Sequence, residues 1–517
     1  MTEIAPAPIT LRPERTEPVA LGEVAAAAGA EVAPDAADVQ VTGVTFASGQ
    51  VRPGDLYVGI RGANAHGAQF AGQAAEAGAV ALLTDAEGAA LAEASALPVL
   101  VVPAPREVLG AVAARLYDYT EGSPQLLGVT GTNGKTSTVH LLEGMIGALG
   151  EVAGLSSTAE RRVAGEVVVA GLTTPESSDM HSLIATMRER GVATAAIEVS
   201  AQALTRHRID GVRFQVAAFT NLSHDHLDDY ASMEEYFDQK VALFQPDRAE
   251  TGVVSLDTPW GARVVERSGI PVQTITSRDD VEADWRVRTT AVSREGTRFA
   301  LESPDGERLE AMIPAIGEHH AANAGLAIVM LIAGGRSFDV VRDALAHDGA
   351  IPPIPGRTEN VAAPGSPAIY VDFGHSADAF AKTLDAVRAV TTGKVIMVFG
   401  ADGDRDTTKR HDMAAEAVRR SDILVVTDHH PRFEDAASIR RTLAEGALAA
   451  RPDAELHVVS PPPRAIRLAV SLCSAEDSIL WAGPGHQNYR EIRGVKTAYS
   501  AREQARQALR EQGWQAR

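Results

Sequence analysis

Short apolar runs bounded by Gly, Pro and Asp recur along the chain and alternate with longer stretches in which Ala, Leu and Val return every third or fourth position. The short runs fit buried strands and the longer ones amphipathic helices, so the pattern predicts an α/β protein. Strands are expected at Leu56–Ile60, Val80–Leu83 and Val99–Val102, with helices at Phe70–Ala77 and Pro105–Tyr119. Glu121-Gly122-Ser123-Pro124 is a turn-forming cluster and marks a first boundary. A second unit opens with a strand at Leu126–Val129 and a helix at Ser137–Gly147. It continues through strands Ala193–Ile197 and Val216–Thr220, a helical stretch Met233–Phe244, and strands with turns over Thr251–Pro314. The segment Ile351–Gly356 holds Pro352, Pro353 and Pro355 and cannot continue a helix. Beyond it, strands at Ala368–Val371, Val395–Phe399, Ile423–Val426 and Ile479–Trp481 alternate with helices, as in a doubly wound, mostly parallel sheet. The last helix, Ser500–Gln512, reads as exposed and highly charged. Three domains follow: residues 19–121, 122–352 and 353–517.

The 517 residues are enough for three cores, in agreement with that division. A net charge of −20 repels phosphate backbones and anionic lipid, which argues against nucleic acid or a membrane surface as the partner. It leaves room for a local basic pocket that takes a phosphorylated small molecule. Met1–Pro18 carries four prolines and no apolar run of signal-peptide length, and reads as a short tail on a cytoplasmic protein. The single cysteine, Cys473, cannot form an internal disulfide and reads as a buried thiol.

Candidate chemistry starts at Thr130-Gly131-Thr132-Asn133-Gly134-Lys135-Thr136, between the strand at Leu126–Val129 and the helix at Ser137. A glycine loop in that position wraps backbone N–H groups and a helix N-terminus around a polyphosphate. Lys135 would contact the β and γ phosphates, and the Thr136 hydroxyl would ligate Mg²⁺. The spacing from Gly128 is Gly-x5-Gly-Lys-Thr, one residue longer than the general motif. Downstream, the strand Ala193–Ile197 delivers Glu198 to the mouth of the sheet, where a carboxylate can hold Mg²⁺ or its waters. The run Asn221-Leu222-Ser223-His224-Asp225-His226-Leu227-Asp228 could serve a metal or a phosphoryl acceptor. Lys240 lies among Tyr236, Phe237, Leu243 and Phe244. There it either snorkels to solvent or, as a neutral amine, reacts with CO₂ to give a carbamate able to bind Mg²⁺.

Together with Thr173-Thr174-Pro175 and Glu198-Val199-Ser200, these residues resemble the Mur ligases, whose own loop has the longer glycine spacing. Pro355-Gly356-Arg357, Val371-Asp372-Phe373-Gly374-His375, Gly403-Asp404-Arg405-Asp406 with Lys409-Arg410, and Gly483-Pro484-Gly485-His486 look like the MurE type, which adds the third residue of the peptide. The resemblance spans about Gly43 to Ala501. It implies a small N-terminal α/β UDP-sugar domain, a central P-loop ATPase domain and a C-terminal Rossmann-like domain for the incoming amino acid. It also implies the chemistry: ATP phosphorylates the D-glutamate carboxylate of UDP-N-acetylmuramoyl-L-alanyl-D-glutamate, and an amino acid attacks the acyl phosphate. By the same matching, Lys135, Glu198, His226 and Lys240 carry catalysis. One Mg²⁺ would sit on Thr136 and Glu198, and a second on His226 and carbamylated Lys240. ATP would be held by Gly131 to Ser137 and by Asn323, Arg357, Asp372 and His375. The UDP-muramoyl-dipeptide would be held by Ser48, Thr173, Thr174, Ser200 and Arg208. The amino acid would be held by His429, His430, Arg432, Gly483 and Gln487. Small-molecule partners and a monomer are expected. A folylpolyglutamate-synthase-like ligase and a non-catalytic precursor or amino-acid sensor are the alternatives.

Two departures bear on specificity. The family's Asp-Ser-Arg appears as Ala47-Ser48-Gly49, which keeps only the serine. Members that add meso-diaminopimelate typically show Asp-Asn-Pro-Arg and Gly-Lys-Gly-His-Glu, where this chain has His429-His430-Pro431-Arg432 and Gly483-Pro484-Gly485-His486-Gln487. Arg432 can still pair a carboxylate, but the acids that would neutralise an ammonium are gone. An unpaired buried ammonium is costly, so the third residue is expected to be neutral at its far end, such as homoserine. A shorter diamino acid paired by another acid, with Asp428 or Glu434 as candidates, is the other expectation.

Overall fold

The computed structural model describes residues 11–62, 65–117, 122–169, 171–223 and 229–514. Three main sheets follow one another along the chain. The first has four parallel strands in chain order, Gly43–Thr45, Asp55–Gly59, Ala81–Thr84 and Val99–Val101. Helices Leu21–Ala28 and Pro105–Tyr117 seal one face around Val44, Leu56, Val58 and Leu83. From residue 11 onward the expected tail is pinned. Arg12 pairs with Asp55 at 2.7 Å, and the Ser182 hydroxyl of the central unit donates to the Leu11 carbonyl at 2.8 Å.

The second sheet has eleven strands. Its middle runs parallel in the order Ala153–Ser156, Thr194–Glu198, Gln125–Thr130, Phe214–Phe219, Ala249–Ser255, Val272–Thr276 and Trp285–Ser293. Antiparallel strands flank it: the hairpin Glu160–Val163/Glu166–Val169 on one edge, and Gly296–Glu302 with Arg308–Ile313 on the other. Alternate residues of each strand enter opposite cores. Leu127 and Val129 pack under helices Lys135–Ala148 and Glu318–Ala333, whereas Leu126, Ala195 and Ile197 pack under Ser177–Glu189. Within Thr251–Pro314, read as strands alone, the chain also forms a helix, Pro259–Arg267. Proline occupies its first turn and only Gly261 and Val264 are buried, so it carries little apolar signal.

The third sheet has the order Glu359–Asn360, Ala368–Asp372, Ser478–Ala482, Val395–Phe399, Ile423–Val426 and Glu455–Val458, parallel except for the first strand. Helix Ala501–Glu511 lies against it. It is amphipathic rather than exposed all round, because Ala501, Ala505, Ala508 and Leu509 are buried. Cys473 is half-buried rather than buried, and desolvation pushes its thiol up to about 12, which keeps it inert. Central and C-terminal units are joined at Arg294, whose guanidinium donates to the carbonyls of Val390, Ala475 and Glu476 at 3.3, 3.2 and 2.8 Å. No helix among the described residues is long and apolar enough to cross a membrane.

Candidate active site

The loop Gly131–Gly134 leaves the strand Gln125–Thr130 at its C-terminal end, where the neighbouring strands run to opposite sides, and enters the helix at Lys135. Two glycines are required there. Gly131 has φ +144°, and a Cβ on it would lie 1.9 Å from Thr220 Oγ1; Gly134 has φ +88°, and its Cβ would meet Asn323 Oδ1 at 2.6 Å. The next strand's exit pins the loop: Asn221 O accepts from Thr132 N at 2.8 Å, Asn221 Oδ1 accepts from Asn133 N at 3.0 Å, and Thr220 Oγ1 donates to Asn133 O at 2.7 Å. Lys135 Nζ folds back onto the carbonyls of Gly131 (3.0 Å) and Thr132 (2.8 Å). Lys240 does not snorkel. It is 1 % exposed, lies 4.3 Å from the centre of the Tyr236 ring, and donates to the same Gly131 carbonyl at 2.8 Å.

Glu198, 2 % exposed, ends the strand Thr194–Glu198 beside the loop. Its Oε2 accepts from Thr136 Oγ1 (3.0 Å), Thr158 N (2.8 Å) and Thr158 Oγ1 (3.1 Å). Thr173 Oγ1 lies 3.0 Å from Thr158 Oγ1, and Thr174 Oγ1 donates to the Glu198 carbonyl while accepting from Ser200 N. Arg208 pairs with Glu176 at 3.1 Å near Thr174. Thr136, Glu198, Thr173, Ser200 and Arg208 line one cleft. Ser48 starts a short 3₁₀ turn in the N-terminal unit and does not line it. His226 falls outside the described residues.

The cleft, about 800 Å³, runs between the central and C-terminal units. From the C-terminal side come Arg357, Phe373, His375 and His486. The Arg357 guanidinium lies 4.4 Å from the centre of the Phe373 ring. Burial lowers its pKa, while Asp372 and Glu198 favour its charged form. Asp372 turns both oxygens to backbone, accepting from Thr358 N (2.9 Å) and Gly374 N (2.7 Å), so it holds the segments bearing Arg357 and His375. Arg357 Nε and His486 Nδ1 are buried without hydrogen-bond partners among the described residues. Burial, reinforced by Arg357, holds His486 well below the usual histidine range, so it is neutral. Among the described residues nine Lys or Arg line the cleft against five Asp or Glu, an electropositive slot on an acidic chain that suits a polyphosphate. Its oxygen donors, Thr136 and Glu198, suit Mg²⁺.

At the cleft's far end His429, His430, Arg432, Gly483 and Gln487 come together. Glu491 N donates to His430 Nδ1 at 3.0 Å, so the ring proton sits on Nε2, which donates to Gln487 Oε1 at 2.8 Å. Burial pushes His429 down to about 3, so it is neutral. A Cβ on Gly483 would reach His429 Cδ2 at 3.7 Å. Neither acid expected to serve here does so: Asp428 is bonded to Arg440 and Ser460, and Glu434 to Arg410. Asp402 occupies the pocket instead, 3.6 Å from His429 Nε2 and 3.6 Å from Arg432 Nη2. Sequence reasoning missed both Asp402 and Thr158. The one available signal was that each follows the C-terminal end of a parallel strand.

Three family profiles match in chain order: "Mur ligase family, catalytic domain" over residues 40–117, "Mur ligase middle domain" over 129–331, and "Mur ligase, glutamate ligase domain" over 356–485. The UDP-N-acetylmuramyl-tripeptide synthetase of Leifsonia xyli subsp. xyli is 54 % identical over 510 residues, 98 % of this chain and 99 % of that one. The UDP-N-acetylmuramoyl-L-alanyl-D-glutamate–2,6-diaminopimelate ligase of Streptomyces avermitilis is 40 % identical over 503 residues, 97 % and 98 % of the two chains. A solved UDP-N-acetylmuramoyl-L-alanyl-D-glutamate–2,6-diaminopimelate ligase shares the fold with a TM-score of 0.65 at 22 % identity, covering 96 % of this chain and all of that one.

Proposed function

The chain belongs to the Mur ligase family, and on that premise we propose that it is the ATP-dependent ligase that adds the third amino acid to UDP-N-acetylmuramoyl-L-alanyl-D-glutamate in peptidoglycan synthesis. The observation that carries the reading is one electropositive cleft in which a phosphate loop and Glu198 face Arg357 and His486 of the next unit. We assign residues 19–121 to the UDP-muramoyl group, 122–352 to ATP and 353–517 to the amino acid, in a cytoplasmic monomer.

In this reading the backbone N–H groups of Gly134, Lys135 and Thr136 at the helix N-terminus cradle the β and γ phosphates, and Lys135 moves from the loop carbonyls to the phosphate oxygens. Thr136 and Glu198 would hold Mg²⁺, which offsets charge as phosphoryl transfer brings two anions together. Arg357 reaches the nucleotide from the C-terminal side, and Asn323 buttresses Gly134. Thr173, Thr174, Ser200 and Arg208 orient the dipeptide so that its D-glutamate carboxylate attacks the γ phosphorus. ADP leaves, and the amino acid's amine then displaces phosphate from the acyl carbon. A second ion is assigned to His226 and carbamylated Lys240; a carbamate keeps one N–H, so the bond to the Gly131 carbonyl survives its formation.

The test is phosphate release from ATP with UDP-N-acetylmuramoyl-L-alanyl-D-glutamate and a panel of amino acids, with the product identified by mass. Release that requires both acceptor and amino acid is the expected result. Release without them, or nucleotide binding with no release, overturns it; the second outcome is what a sensor would give.

A further inference from the structure

The third-residue pocket holds a charge arrangement that its motif residues do not announce. The Asp402 side chain is 32 % exposed overall, yet its Oδ1 is buried without a hydrogen-bond partner among the described residues. Its nearest charged or titratable neighbours, His429 Nε2 and Arg432 Nη2, stand at 3.6 Å, beyond hydrogen-bond length. Burial raises the Asp402 pKa and the neighbouring His429, His430 and Arg432 lower it, for a net value below the usual carboxylate range. At neutral pH, where the two histidines have lost their protons, it is an anion beside Arg432. An ionised oxygen buried with no donor calls for one from the ligand.

Such an oxygen can take a hydroxyl donor, a cation of the substrate or a metal ion, and of these the last two also offset its charge. The ligand atoms of Asp402, His429 and His430 lie within 4.8 Å of one another, a spacing a metal could use. His430, however, has both ring nitrogens engaged, one accepting from Glu491 N and the other donating to Gln487, so it offers no lone pair. An ammonium needs only acceptors, and Asp402 supplies one. The surrounding charge points the same way. Arg432 is flanked by Asp402 at 3.6 Å and Glu491 at 3.7 Å, and Nη1 donates to the Gly403 carbonyl. With both histidines uncharged, Asp402 and Glu491 flank the one Arg432 guanidinium, so these three groups by themselves sum to one negative charge. A side chain ending in an ammonium alone balances that charge. One ending in both an ammonium and a carboxylate, as diaminopimelate does, brings no net charge and sets a third carboxylate beside two.

Resting on the ligase reading above, we infer that Asp402 selects the third residue: the incoming amino acid is a diamino monocarboxylic acid whose side-chain ammonium binds Asp402 Oδ1. This replaces the expectation of a residue neutral at its far end. It names the other acid that a diamino substrate requires.

The experiment is steady-state phosphate release by the full-length enzyme with L-lysine, L-ornithine, L-2,4-diaminobutyrate, meso-diaminopimelate and L-homoserine, for wild type and Asp402→Asn. In wild type, one of the three diamino monocarboxylates is expected to have a kcat/KM at least about tenfold above both diaminopimelate and homoserine. In Asp402→Asn, KM for that substrate is expected to rise by roughly tenfold to a hundredfold, with kcat changed much less and KM for homoserine within about threefold. The Asp402 carboxylate bonds no described residue, so the variant is expected to fold; an unchanged KM for ATP verifies this. Preference for diaminopimelate or homoserine in wild type, or an unchanged KM for the diamino acid in Asp402→Asn, overturns the inference and leaves the ligase reading standing. Turnover with no member of the panel overturns both.

Discussion

Replacing Gly131 by alanine separates two constraints that the phosphate loop places on one residue. The first is conformational: at φ +144° an L side chain is strained, at about 1–3 kcal/mol. The second is steric. The new Cβ would stand 1.9 Å from Thr220 Oγ1, and Thr220 is held there by its hydroxyl bond to Asn133 O at 2.7 Å and its N–H bond to Thr130 O at 3.0 Å; relieving that overlap costs about 1–3 kcal/mol more. If only about 2 kcal/mol of the total reaches the bound state, nucleotide affinity falls roughly thirtyfold. The partner change, Thr220→Ala, removes the overlapping oxygen at modest cost, because Asn133 O still accepts from Asn221 Nδ2 at 3.0 Å. Contacts of the new Cβ with the Asn221 backbone at 3.0 and 3.1 Å persist, so recovery in the double variant is partial, about tenfold. Titration calorimetry with ADP across the four proteins of the cycle measures both terms. Affinity within threefold of wild type in Gly131→Ala, or no recovery on adding Thr220→Ala, would refute the reasoning.

Three further outcomes are expected. Glu198→Gln removes the charge from the carboxylate that Thr136 and Thr158 surround, so kcat falls at least about a hundredfold with little change in melting temperature, and wild-type turnover would remove the assigned role. Lys240→Ala is expected to be inactive and to regain turnover with formate or acetate, which stand in for a carbamate; full activity without them rules the carbamate out. His140 and His181 in the central unit are held by burial at about 3 and about 4. The unfolded chain takes up these protons near pH 6.5 and the folded one refuses them, so stability is intact above 6.5 and drains as the pH falls toward 4. The loss by pH 5 is about 2 kcal/mol per histidine. Urea midpoints at pH 7.5 and 5, followed by tryptophan fluorescence, should show a shallower fall in His140→Gln; an unchanged fall contradicts the assignment.

The parallel strands were legible because burial on both faces writes them as unbroken apolar runs. Val395–Phe399 and Ile423–Val426 are found where the pattern sets them. The phosphate loop was legible because glycine, lysine and threonine are needed at fixed offsets. The hairpins Glu160–Val169 and Tyr489–Ala498 were not, since they are short and expose apolar residues such as Val167, Ile492 and Val495. Asp402 was hidden for a different reason. Its neighbourhood with His429 arises only from the register that sets Phe399 beside Val426, which brings the ends of two strands together. Local sequence records that His429 and Gln487 are uncharged, whereas the acid beside His429 comes from the end of another strand.

Arg294 fastens the central and C-terminal units at a point far from the cleft. Its three acceptors, Val390, Ala475 and Glu476, lie before the strand Ser478–Ala482 or at its entry side, while the cleft opens at that strand's exit, roughly 16 Å away by strand rise. A small rotation there would be lengthened into a larger displacement of Arg357 and His486 against the phosphate loop. One long side chain gripping three uncharged carbonyls tolerates such turning and is little weakened by salt. The same joint would stay fastened through a change in the width of the slot.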